Sequence, residues 1–561
     1  MLKLGQQIGS KNQIKCLQLL VKLHTRIVEL PMGKVKGRQQ RSINKNDYYS
    51  FEGIPYGKPP LGELRFQAPQ LAEPWVGKEL NCQQERCRPV QMEGSSDSVL
   101  GNEDCLHLNV YTKKFDSEKP LPVIVYIYGG AFRTGGATKF KYGPDFLMRE
   151  DIVYVLFNYR LCALGFLRLP SAETCVPGNA GLLDQLMALR WIKNNICYFN
   201  GDPDNITLMG TSAGAASVHF MMCLPQAKDL FHKAIMMSGT ILSPWAQASE
   251  LGDLFCRLAH STGYKGDLTE TAILKYLREL PADQLVQHDL YGPYERCFGH
   301  LHPFVPGVES TGGGLVQHSY LQLMRQAWST QIPLLLGGTS FEGLVMYPHC
   351  KLCNGYMLDL IKQQPALVLP YELYQSLSQR DRNERAKELI HFHYGPRNID
   401  KNNVTQLLDL FSYKLFWHGL HRVVCSRLVH AEAATYLYRF DFDSPSHNLM
   451  REKLCGDDIK RGVCHADDLG YIFPRQNQLI TDSDEHLTMH RMIGILTTFA
   501  RTGDPNCDET HPEVWIPLDQ KEPFKVMNIG HDVEFQTQME RDGLKIWNKI
   551  YDNDSNLLFG G

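Results

Sequence analysis

The chain has 561 residues and a mass of 63.9 kDa, enough to bury a large core, and its 43% hydrophobic and 21% charged residues without low-complexity runs are those of a soluble globular protein. A net charge of −3, with Lys and Arg scattered along the chain, offers no basic field for nucleic acid. No segment reaches the roughly 18 consecutive apolar residues of a membrane-spanning helix.

Residues 12–30, NQIKCLQLLVKLHTRIVEL, put Ile14, Leu17, Val21 and Ile27 near helical spacing, with Lys15, Lys22 and Arg26 between them. Lys22 interrupts the apolar centre that a secretory signal needs, so the chain is expected to be intracellular and cytoplasmic rather than secreted. The segment 1–30 is expected to form a basic amphipathic helix lying on a membrane or lipid-droplet surface, or else to pack as a helix on the protein body or be partly disordered. Residues 31–561 are expected to form a single domain.

From about residue 105, strand patterns at 106–111, 123–128, 152–157, 206–209, 234–237, 333–336 and 435–440 alternate with helical patterns, notably 180–195 and 213–222. This alternation predicts an α/β protein: a large, mostly parallel central sheet with helices on both faces. Long insertions fall at 250–330 and 355–430. The 16 cysteines are too sparse for a disulfide scaffold, and Cys162 and Cys223 read as small buried hydrophobes. Cys350 and Cys353 have C-x-x-C spacing without a second pair, so no metal centre is expected. Three sequons, at Asn205, Asn403 and Asn553, are idle in an intracellular protein.

The chemistry concentrates in MGTSAGAAS, residues 209–217, where Ser212 stands between Gly210 and Gly214. The apolar run NITLMG leads in and the helix former AGAASVHFMM leads out, which is the strand–turn–helix setting of a nucleophile elbow. A simple helix cap explains the serine but not both glycines, which a sharp, strained turn requires. A second element, Tyr128-Gly129-Gly130-Ala131-Phe132, follows the strand pattern 123–128, where small residues let backbone N–H groups approach a substrate oxygen. Ser212 then needs a base and an orienting acid in the order Ser, Asp or Glu, His. Spacing alone selects none of the 21 histidines.

These residues resemble the type-B carboxylesterase/cholinesterase family, most closely its insect α-esterases. The likeness runs from about residue 35 to about 547 through FEGIPYGKPPLGELRF, EDCLHLNVY, NYRLCALGF, VPGNAGLLDQLMALRWIKNNI and SPWA. It implies the α/β-hydrolase fold, with helical insertions around an active-site gorge. It also implies Ser212 as nucleophile, Glu342 in GGTSFEGL as triad acid and His465 in GVCHADDLGYIF as base. Gly130, Ala131 and Ala213 correspond to the oxyanion-hole donors, Arg65 and Glu103 to a structural ion pair, and Trp245 to an acyl-pocket residue. No cofactor or metal is implied, and the partner is a small-molecule ester.

The chain departs from the pattern at several points. Thr211 stands where the family usually has Glu, Ala131 replaces a third glycine, Cys162 replaces a glycine, His107 interrupts the EDCL block and Asn200 replaces Gly or Arg. Cys87 and Cys105 sit where relatives often close a disulfide, and in a reducing cytosol they are expected to be thiols. The segment between them has no aromatic residue to hold a quaternary ammonium, which argues against a cholinesterase. The reading is therefore a serine carboxylesterase for uncharged esters. The alternatives are a slow-turnover ester-sequestering protein of the same fold and a lipid-droplet lipase.

Overall fold

The computed structural model describes residues 25–560 apart from 93–97, 170, 172–173, 175, 177, 249–252, 289, 310–313, 352–355, 398, 400–402 and 475–479. Its strands are β1 (Thr25–Leu30), β2 (Gly33–Arg41), β3 (Asp47–Pro55), β4 (Glu79–Asn81), β5 (Gln91–Met92), β6 (Val99–Leu100), β7 (His107–Thr112) and β8 (Leu121–Ile127). They continue as β9 (Val153–Phe157), β10 (Gly201–Thr211), β11 (Lys233–Met237), β12 (Leu334–Thr339), β13 (Thr435–Phe440), β14 (Lys525–Ile529) and β15 (Val533–Thr537).

Runs such as LPVIVYI in β8 and VYVLF in β9 are buried at every position, because a parallel strand covered on both faces has no solvent side. They form the middle of a 13-stranded sheet of order β1-β2-β3-β7-β9-β8-β10-β11-β12-β13-β14-β15, with β4 beside β2. Pairing is parallel from β9 through β8 and β10 to β14, and antiparallel in the meander β1-β2-β3-β7, at β7–β9 and at β15. Helices Ala180–Asn195 and Ala213–Cys223 are the two that the sequence pattern anticipates. Where the chain leaves β9, Arg160 forms a fully buried ion pair with Asp184 of the first helix, at 2.7 Å.

The N-terminal boundary needs correction. Residues 25–30 do not continue a helix; they form β1, paired in register with β2 from Thr25↔Arg38 to Leu30↔Gly33. The reason is local: Thr25, Ile27 and Val28 are β-branched, and Pro31-Met32 closes a tight hairpin into Gly33. Burial alternates with period two, Val28 and Leu30 inward and Ile27 outward, so Ile27 cannot serve the apolar face of a helix. Residues 12–24, which carry the rest of the amphipathic pattern, lie outside the described residues. Among the described residues no helix is long and apolar enough to cross a membrane.

The insertions bring helical material to the C-terminal ends of the parallel strands. Helix Val404–Ser412 packs on the 3-10 turn Glu342–Met346, where Ser412 Oγ accepts from Gly343 N at 2.8 Å. The π-helical turn Tyr413–Trp417 follows and touches the short turn Pro244–Ala246. The other insertion supplies helix Glu270–Glu279, whose C-terminal carbonyls at Leu277, Arg278 and Leu280 are bonded by Arg65 Nη1.

Candidate active site

β10 runs straight into helix Ala213–Cys223, and Ser212 takes up the turn with φ 58° and ψ −124°. That conformation is a stored strain of about 1–3 kcal/mol for a non-glycine residue. The surrounding packing enforces it. A Cβ on Gly210 would sit 2.4 Å from Gly214 C, and one on Gly214 would sit 1.9 Å from Ile127 O. Both glycines are therefore needed for strand and helix to meet so tightly. Ser212 N donates to Met237 O at 2.8 Å, fixing the turn against β11, while the side chain is partly exposed.

The glycine element lies directly beside this turn. A Cβ on Gly129 would come within 2.8 Å of Ser212 Cβ. Gly130 C=O then accepts from both Arg133 N and Thr134 N, at 3.0 and 2.9 Å, closing a left-handed turn through Ala131 (φ 53°) and Phe132 (φ 56°). Among the described residues, no acceptor engages the backbone N–H groups of Gly130, Ala131 or Ala213. Ala213 is also the first residue of its helix, where the dipole favours negative charge.

Glu342 opens the 3-10 turn after β12 and is completely buried. Three donors hold its carboxylate. Ser238 Oγ and Thr339 N reach Oε1 at 2.5 and 2.8 Å, and His465 Nδ1 meets Oε2 at 2.6 Å. His465 arrives on the loop after helix Leu449–Cys455, steered by Phe341 N donating to Val463 O at 3.0 Å. The Phe416 ring lies on its imidazole at 4.6 Å between centroids. With Nδ1 committed to Glu342, Nε2 is the nitrogen left for other partners.

Strand register brings the serine to the same rim. Thr211 pairs with Met237, Ser238 N donates to Gly337 O, and Ser238 Oγ holds Glu342. Glu342 and His465 touch directly, whereas among the described residues no hydrogen bond joins Ser212 Oγ to His465 Nε2. Such contacts are often loose in a ligand-free site and tighten when substrate binds. Trp245 closes the other side. It is buried, its Nε1 donates to Leu415 O at 3.1 Å, and its ring lies 5.8 Å from Phe416. A Cβ on Gly239 would touch both Ser212 O (2.3 Å) and Trp245 Cη2 (2.9 Å), so Trp245 stands one residue's width from the serine.

Arg65 and Glu103 form a bidentate pair at 2.8 and 2.6 Å, nearly buried on both sides. Cys87 is an exposed free thiol and Cys105 a buried one. Ala131, Cys162 and Asn200 have φ of 53°, 53° and 65°. The backbone keeps the left-handed turn and the side chain bears the strain.

Sequence reasoning missed Ser238, Phe416 and Asp468. Ser238 follows β11 at the C-terminal rim, a position that could have flagged it. Asp468 lies three residues after His465 and is completely buried; among the described residues its Oδ1 has no partner, while Tyr438 OH sits 3.5 Å from Oδ2. Burial pushes its carboxyl up to about 7; the charge of Glu342 adds to the shift and that of His465 opposes it.

Comparison with known proteins identifies the family. A family model described as the carboxylesterase family matches residues 24–547. Esterase B1 of Culex pipiens is 36% identical over 550 residues, covering 95% of this chain and 99% of that protein. Juvenile hormone esterase of Tribolium castaneum is 29% identical, covering 90% of this chain and 88% of that one. The crystal structure of juvenile hormone esterase from Manduca sexta, with OTFP covalently attached, superposes with a TM-score of 0.81 at 28% identity, over 94% of this chain and all of that one. An α/β-hydrolase sheet that carries Ser212, Glu342 and His465 on one rim, matched to esterases along nearly its whole length, belongs to the carboxylesterase family, and the protein is a carboxylic ester hydrolase.

Proposed function

We propose that the protein is a serine carboxylesterase for uncharged carboxylic esters, with Ser212 as nucleophile, His465 as general base and acid, and Glu342 as the orienting carboxylate. The observation that carries this is the 2.6 Å contact of His465 Nδ1 with a buried Glu342, on the rim where Ser212 occupies a strained elbow. His465 Nε2 takes the Ser212 proton as Oγ attacks the ester carbonyl. The tetrahedral oxyanion is met by the N–H groups of Gly130, Ala131 and Ala213, each such donor being worth about 10²–10³ in rate. Collapse expels the alcohol, which receives the proton from His465. Water, activated in the same way, then attacks the acyl-enzyme and releases the acid. Glu342 holds the imidazole in the right tautomer and stabilises its cation. Trp245 and Phe416 wall the side toward which the acyl group lies.

A covalently attached ligand on the Manduca sexta relative supports a route through a covalent intermediate. The Ala131 strain and the Thr211 departure favour one second reading, a protein that acylates readily and deacylates slowly. Labelling with a fluorophosphonate and mapping the adduct by mass spectrometry tests the nucleophile. A single adduct on the peptide containing Ser212, absent from Ser212→Ala, is expected. An adduct elsewhere, or labelling that survives the substitution, refutes the assignment.

A further inference from the structure

Helix Asp484–Thr502 packs against the turn Asp468–Tyr471 behind His465 and carries a feature that ester hydrolysis does not use. His486 and His490, spaced i and i+4 in its first turns, are both partly exposed. Their rings lie 4.4 Å apart at 86° and present Nε2 to Nε2 at 3.3 Å. Spacing of i and i+4 puts two imidazoles on one helix face, the arrangement a helix uses to hold zinc. Two Zn–N bonds of about 2.0–2.1 Å at the tetrahedral angle hold their nitrogens about 3.3–3.4 Å apart, so the pair already has the right bite. Asp484 and Glu485, in the first turn of the same helix, add negative charge nearby.

One cation already touches the pair. Arg149 Nη1 lies 2.9 Å from His490 Nε2. Its side chain is about one-third exposed, and Glu150 stands 3.7 Å from its Nε, so the guanidinium has another partner to turn to. Among the described residues no third His, Cys, Asp or Glu completes a metal-binding group with the two histidines.

We propose that His486 and His490 form a surface site for one divalent transition-metal ion of the zinc, nickel or copper class. The ion binds through both Nε2 atoms, water fills the remaining positions, and Arg149 is displaced. Imidazole suits these metals, and the open shell leaves the ion exchangeable. Binding cross-links the first two turns of the helix and stabilises the folded state by mass action.

Titration of Zn²⁺ into the full, tag-free, chelator-treated chain, followed by calorimetry, tests this. One equivalent is expected to bind saturably. His486→Gln and His490→Gln are each expected to weaken it by about tenfold or more, a loss that even an outer-shell partner can cause. Arg149→Gln is expected to tighten it. Ester hydrolysis and circular dichroism unchanged in all three variants would show that they fold. A flat isotherm, or a one-equivalent event that survives both histidine variants, overturns the site. An affinity unchanged in Arg149→Gln overturns the displacement of Arg149.

Discussion

Ser238→Ala isolates what holds Glu342 in place. The hydroxyl is fully buried and donates to Glu342 Oε1 at 2.5 Å, one of three donors on that carboxylate. A hydrogen bond to a charged group is worth about 1.5–3 kcal/mol, so stability should fall by that amount. Support of an active-site group from behind is typically worth 10–100-fold in metal sites, and a kcat loss of about that size is expected here. Strain provides the internal control. Ser238 sits at φ 57°, which costs a residue with a Cβ about 1–2 kcal/mol and glycine nothing. Alanine therefore removes the hydroxyl and keeps the strain, while Ser238→Gly removes both, less about 0.4–1 kcal/mol of added chain entropy in the unfolded state. Urea unfolding should rank wild type above Gly and Gly above Ala. Steady-state hydrolysis of p-nitrophenyl butyrate should show equal kcat losses in Ala and Gly, because both lack the donor. A kcat within twofold of wild type in either variant would refute the claim that Ser238 positions Glu342.

Three further substitutions probe the surrounding structure. Ala131→Gly relieves a left-handed residue at φ 53° and should raise stability by up to about 1 kcal/mol in urea unfolding without lowering kcat; a destabilised variant contradicts the strain argument. Glu103→Ala leaves Arg65 charged and nearly buried, so a loss of about 3–5 kcal/mol is expected, and a loss under about 1 kcal/mol would mean the pair is structurally idle. The Asp468 carboxyl is raised from 3.8 to about 7 in the fold, so it keeps a proton that the unfolded chain releases. Its contribution is present below pH 4 and lost as pH rises through 7, at up to about 1.4 kcal/mol per pH unit. Asp467, raised to about 7 chiefly by burial, acts in the same sense. Asp468→Asn should flatten the fall in stability between pH 4 and 7, and an unchanged slope refutes the assignment.

What was legible in the sequence follows from how strongly each feature is constrained. The elbow could be read because Gly210 and Gly214 have atoms within 2.4 and 1.9 Å of where a Cβ would be, so only one residue type fits. β8 and β9 could be read because strands buried on both faces become continuous apolar runs. The meander β1-β2-β3 was hidden, since Lys34, Lys36 and Arg38 alternate with small or apolar residues and Ile27 imitates helical spacing. Glu342 and His465 came from the resemblance alone. They meet across 123 residues, and no local pattern encodes a contact of that range. Phe416 stayed invisible for the same reason, since its contacts to His465 and Trp245 are long-range, while Ser238 offered only its place at the strand end and its contact to Glu342 is equally distant in sequence.

The central claim is that Ser212 becomes acylated and then turns over. Stopped-flow hydrolysis of p-nitrophenyl butyrate by wild type and Ser212→Ala measures both steps. The account predicts a burst of one p-nitrophenol per protein followed by steady turnover, with both absent in the folded variant. A burst or steady rate that persists in Ser212→Ala would contradict it.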